Sequence, residues 1–151
     1  MISAVNDKAL LCAILLIAGC SLPSFSRAHK EVAGAITGHY KEKSSGDTLD
    51  VQLLPGSKIK LHLTAYWPSD HPSSEDFPGG GHIGETDTTI PIKGGTAVYG
   101  TTEFGGKCKI TFKFVGKNVV IEQDGDPNMC GYGMNVIATG TYTLLSKKPE
   151  F

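Results

Sequence analysis

The chain is 151 residues long, 40% hydrophobic, and carries a formal charge of −1. That length suits one domain around one core. Lysines and carboxylates are mixed along it, so it has neither the basic block of a nucleic-acid binder nor an acidic tail.

The first element is a secretory signal. Lys8 precedes the apolar run "ALLCAILLIAGC", which is too short for a comfortable membrane span and ends in small residues. Its end, Ile17-Ala18-Gly19-Cys20, resembles the bacterial lipobox. That resemblance implies a signal peptide over 1–19, cleavage before Cys20, and lipidation of Cys20. The protein would then be a lipoprotein held in the envelope, on the periplasmic face of the outer membrane, because Ser21 rather than Asp follows the cysteine. The rival reading is ordinary cleavage after Ala28, which releases a soluble periplasmic or secreted protein. Residues 20–33, which contain Pro and Ser and show no sustained period, read as a tether, and 34–146 as the folded domain, with 147–151 as a tail.

From Ile36 onward the period is two, the signal of half-buried strands. Ile36, Gly38 and Tyr40 share a face, as do Leu49, Val51 and Leu53. "KIKLHLTAY" is cleaner, with Ile59, Leu61, Leu63 and Ala65 facing one way. Pro55-Gly56 suits a tight turn before it, since Pro fixes φ and Gly accepts positive φ. His62 and His39 are expected on the solvent side.

Trp67 to Glu85, "WPSDHPSSEDFPGGGHIGE", interrupts the rhythm. Connections this long and this rich in Gly, Pro and Ser are usually functional or disordered. Aromatic side chains anchor many interfaces, so Trp67, Phe77 and His82 are the expected partner-binding residues, with a cap over the barrel core as the alternative role of Trp67. The loop also gathers Asp70, His71, Glu75, Asp76 and His82, but at a spacing that matches no established metal site. No metal or cofactor is expected.

Alternation resumes in "TTIPIKG" and "TAVYGTT", a hairpin joined at Gly94-Gly95, with Pro91 suited to an edge strand or bulge. "CKITFKFV" predicts a strand with Cys108, Ile110, Phe112 and Phe114 inward, turned at Gly116-Lys117 into "NVVIEQ". The last strand is expected from Gly133 to Leu145, with Met134, Val136, Ala138, Gly140 and Tyr142 on one face. Cys108 and Cys130 are the two cysteines of the exported domain, which predicts a disulfide. Together these elements predict an all-β domain of about eight antiparallel strands. It would be a small up-and-down, calycin-like barrel or a curled meander, with a two-sheet sandwich as the alternative.

No chemistry of a known enzyme is spelled out. There is no G-x-S-x-G, no phosphate loop, and nothing marks Glu85 or Glu103 as a catalytic carboxylate. The protein is expected not to be an enzyme. The lipobox, the small β-domain, "KCKITFKF" and "CGYGMNVIATGTY" together resemble small exported bacterial β-domains. Among these are periplasmic lysozyme inhibitors and immunity proteins against cell-wall hydrolases. The resemblance implies an envelope protein that binds a protein partner, with small-ligand binding inside a calycin-like barrel as the alternative. The inhibitors' Ser-Gly-x-x-Tyr and Tyr-x-x-x-Thr-Lys-Gly stretches do not occur here, so no inhibitory residue carries over.

Overall fold

The computed structural model describes residues 36–68 and 81–151. Eight strands run in chain order: β1 (Gly38–Glu42), β2 (Thr48–Leu54), β3 (Lys58–Trp67), β4 (His82–Lys93), β5 (Thr96–Thr101), β6 (Cys108–Val115), β7 (Asn118–Asp124) and β8 (Gly140–Ser146). Each pairs antiparallel with the next, and β8 returns to β1, so the sheet closes into an up-and-down barrel. Closure rules out the two-sheet sandwich. A register shift between His39 and Tyr40 lets the closing pair bend.

The expected hairpins form for the expected reasons. Gly94 and Gly95, at φ 57° and 75°, make a two-residue turn closed by the Lys93–Thr96 pair. Gly116 takes φ 61° between Val115 and Asn118. After Pro55, Gly56 and Ser57 both take positive φ, 78° and 54°, which closes the turn between the paired Leu54 and Lys58. At the β1–β2 turn, Glu42 accepts from the backbone N–H and hydroxyl of both Ser44 and Ser45. These bonds hold its carboxyl down at about 2.

The interior is filled. Ile59, Leu61, Leu63 and Ala65 of β3 are all fully buried, as alternation requires. Tyr40, Phe112 and Tyr142 are the largest side chains inside, with Leu49, Val51, Ile110, Val119 and Ile121 between them. Phe114 is only partly buried and meets Tyr40 edge-on, with centroids 6.4 Å apart. His39, expected in solvent, instead donates from Nδ1 to Asp50 at 3.0 Å and is half-buried.

Two expectations about element bounds are corrected. The long connection is shorter, because β4 begins at His82 and pairs with β3 as far as Trp67. The last strand begins at Gly140, not Gly133. A 3-10 turn, η1 (Pro127–Cys130), leads through Gly131 at φ 76° into a turn where Asn135 stands at φ 64°. A left-handed residue breaks an extended ladder. Met134 therefore points into solvent at 63% exposure, whereas Val136 and Ala138 remain buried. Residues 131–139 form a strap across the barrel end that β3 and β4 share with it. The disulfide forms as predicted, Cys108–Cys130, with Cα atoms 5.0 Å apart.

Candidate partner-binding surface

The inward phase of β3 runs Ile59, Leu61, Leu63, Ala65, and the next position is Trp67 at the barrel mouth. On β4 the inward phase runs Ile92, Ile90, Thr88, Thr86, Gly84, and the next is His82. The register sets Trp67 opposite His82, and Tyr66 opposite Ile83 on the outer face. All four are exposed, Trp67 at 46% and Ile83 at 55%. The hairpin end thus carries an aromatic–imidazole pair on one side and an aromatic–aliphatic pair on the other. Of the three residues expected to meet a partner, Trp67 and His82 are brought together as cross-strand neighbours. Phe77 lies outside the described residues, as do Asp70, His71, Glu75 and Asp76.

This end is braced from beneath. Asp47, 3% exposed, accepts the Tyr66 backbone N–H at 2.9 Å. Its other oxygen lies 3.3 Å from the Tyr142 hydroxyl, which also donates to Ala138 O at 2.9 Å. Burial, reinforced by the Asp47 carboxylate, pushes the Tyr142 phenol well above its ordinary range. It stays protonated and keeps donating across the working pH range.

The strap braces the other side. The Tyr132 ring lies against Gly84, where any Cβ would overlap it. Its hydroxyl shares a 2.5 Å hydrogen bond with Thr86 Oγ1, and burial pushes its pKa up to about 12. Gly133 donates to Ile83 O at 3.1 Å, and a Cβ on Gly133 would stand 2.8 Å from the Cβ of His82. Glycine is needed at both places because backbone and ring approach so closely. The Cys108–Cys130 bond fixes the start of the strap to β6. Asp47, Tyr132 and Gly84 escaped the sequence reading. Gly133 shows in it as part of the Gly-x-Gly spacing after Cys130, which by itself does not say what the glycine packs on.

Glu85 and Glu103 are both exposed. Among the described residues no three His, Cys, Asp or Glu side chains converge on a metal position. Among them also, no helix is long and apolar enough to cross a membrane. An open groove of about 470 Å³ at the β5–β6 connection is lined by Thr101, Glu103, Lys107, Cys108 and Lys109. It holds no nucleophile–base pair, and Lys109 is engaged by Asp124 at 3.3 Å.

Comparison with family models, with curated proteins and with solved structures finds no match to this chain.

Proposed function

We propose that this protein is a non-enzymatic envelope protein, lipid-anchored at Cys20, that binds a protein partner through the β3–β4 end. Inhibition of, or immunity to, a cell-wall hydrolase is its most concrete form. The observation that supports this most is the exposed Trp67–His82 pair on a braced hairpin. A large aromatic held rigid at a surface loses little entropy when a partner covers it. The placement of the ends adds to it. Ile36 enters the barrel at the end where Thr37 bonds Leu53 and β3 begins, whereas Trp67 closes β3. The ten residues of β3 separate the two ends by about 30 Å of strand, so the pair points away from a membrane attachment before Ile36. Tyr40, Phe112 and Tyr142 occupy the interior, which weighs against the small-ligand alternative.

The test uses a c-type lysozyme as the probe hydrolase, with envelope extract as the source of other partners. Trp67→Ala is expected to weaken binding by about 1–3 kcal/mol while leaving the melting temperature nearly unchanged. Phe77→Ala should behave in the same way. Equal binding by wild type and both variants would move the contact elsewhere, first to the groove at Thr101–Lys109.

The anchor has its own test. Cys20→Ala should abolish fatty-acid incorporation and leave either unprocessed precursor or released protein in fractionated cells. Continued labelling of that variant would refute lipidation at Cys20.

A further inference from the structure

Residues 147–151 do not trail away from the barrel. After β8, Lys148 donates its backbone N–H to Ser146 Oγ at 3.0 Å, and the chain bends back along the outer wall. There the backbone N–H of Glu150 donates to Asp50 Oδ1 at 2.7 Å. The Phe151 ring lies under the Lys60 ammonium, 4.4 Å from nitrogen to centroid. The Glu150 carboxylate stands 4.0 Å from His39 Nδ1. Asp50 sits between Leu49 and Val51, which point into the core, so it points outward; yet it is only 6% exposed.

The floor beneath this segment is a row set by strand register. His39 is paired with Asp50, Asp50 with His62, and His62 with Asp87, across β1 to β4. Imidazole and carboxylate alternate along it. The His62 Nδ1–Asp87 separation is 3.8 Å, and His62 Nε2 is 3.2 Å from Thr64 Oγ1. An ionised carboxylate only accepts, so His39 Nδ1 carries the proton it gives to Asp50, and the same oxygen takes the Glu150 N–H.

We propose that the outer wall of β1–β3 is a peptide-binding groove, occupied in cis by residues 147–151. Its ligand class is an extended segment with an acidic residue followed by an aromatic. Asp50 reads the backbone N–H, His39 sits beside the acidic side chain, and Lys60 covers the aromatic ring. The groove can open without leaving a buried charge unpaired. With the tail lifted, Asp50 keeps His39 and regains water, so its carboxylate is satisfied in both states. The tail's hold includes one charge-assisted hydrogen bond to the part-buried Asp50, one cation–π contact and a 4.0 Å imidazole–carboxylate contact. It competes with an outside peptide chiefly through its high effective concentration. This groove lies on the barrel wall, apart from the Trp67–His82 mouth, and does not depend on the function proposed for that mouth.

The probe is a fluorescein-labelled peptide, Ser-Lys-Lys-Pro-Glu-Phe, followed by anisotropy. A chain ending at Ser146 should bind it saturably, and the full chain about tenfold more weakly or worse, because the tail competes. Asp50→Ala in the shortened chain should lose binding, as should a peptide with alanine in place of its phenylalanine. A shortened chain that melts cooperatively but ignores the peptide overturns the proposal. So does equal binding by the short and full chains. Should the shortened chain fail to fold, hydrogen exchange on the full chain decides. The Glu150 amide is expected to exchange through local opening, far faster than the Leu61 amide. If it exchanges only with global unfolding, the tail is part of the core fold and there is no groove to open.

Discussion

Replacing Phe112 with alanine is expected to cost about 3–5 kcal/mol of folding stability. Phe112 is fully buried at the centre of β6, opposite Ala97 on β5 and Ile121 on β7. Its ring fills the barrel interior alongside Tyr40 and Tyr142, both also fully buried. Strands tied on both edges cannot close in on the missing ring, so most of the cavity persists and its lining loses dispersion contacts. Against a typical total of about 5–15 kcal/mol, that is a large share of the stability. A denaturant titration with wild type and variant at equal slope measures it. Trp67→Ala is the internal comparison, since it removes an aromatic of greater size from a position that is half in solvent. If Phe112→Ala melts no earlier than Trp67→Ala, the interior is not packed as described.

What could be read in the sequence follows from what a period of two reports. Alternation says which way a side chain faces, and on β3 and β6 it named the buried residues correctly, from Ile59 to Ala65 and from Cys108 to Phe112. It says nothing about who stands alongside. The row His39, Asp50, His62 and Asp87 exists only through register, so each histidine taken alone reads as a solvated side chain. The start of β4 was hidden for a different reason. Its inward positions there are Gly84 and Thr86, because Tyr132 from the strap occupies the space an aliphatic side chain would fill. With no apolar residue on the inner face, the strand looked like loop. The strap misled in the opposite direction. Val136 and Ala138 alternate with exposed Ile137 and Thr139, as in a strand. Their hydrogen bonds, however, form no ladder: Val136 N–H turns back to Gly133 O at 3.2 Å, and the next bonds run through side chains. Ala138 N–H donates to Gln123 Oε1 at 2.9 Å, and Gln123 N–H to Thr139 Oγ1 at 3.0 Å. Alternating burial identifies a half-buried segment, and only the partners of its backbone groups decide whether it is a strand.

Loss of the Cys108–Cys130 bond is expected to cost about 3 kcal/mol, from the added freedom of the unfolded chain alone. The cysteines are 22 residues apart, and the loop they close contains β7, η1 and the Gly125 turn. The native state should also suffer locally, because Cys130 begins the strap that carries Tyr132 onto Gly84 and Gly133 onto Ile83. Cys108→Ala with Cys130→Ala is the right pair of changes. Both positions are 3% exposed, and a serine there would bury a hydroxyl without an assured partner. Intact mass with and without reduction, each after alkylation, first establishes the bond. Two alkylated cysteines in unreduced mature protein would refute it. In the double variant, the melting temperature should fall, and the amides of Tyr132 and Gly133 should exchange faster than that of Leu61. The strap braces His82, so under the function proposed above binding of the probe lysozyme should weaken in the folded variant as well, and by a smaller factor than in Trp67→Ala. A double variant that melts earlier yet binds unchanged would show that the mouth keeps its shape without the strap. The bracing would then come from Asp47 and the β3–β4 ladder alone.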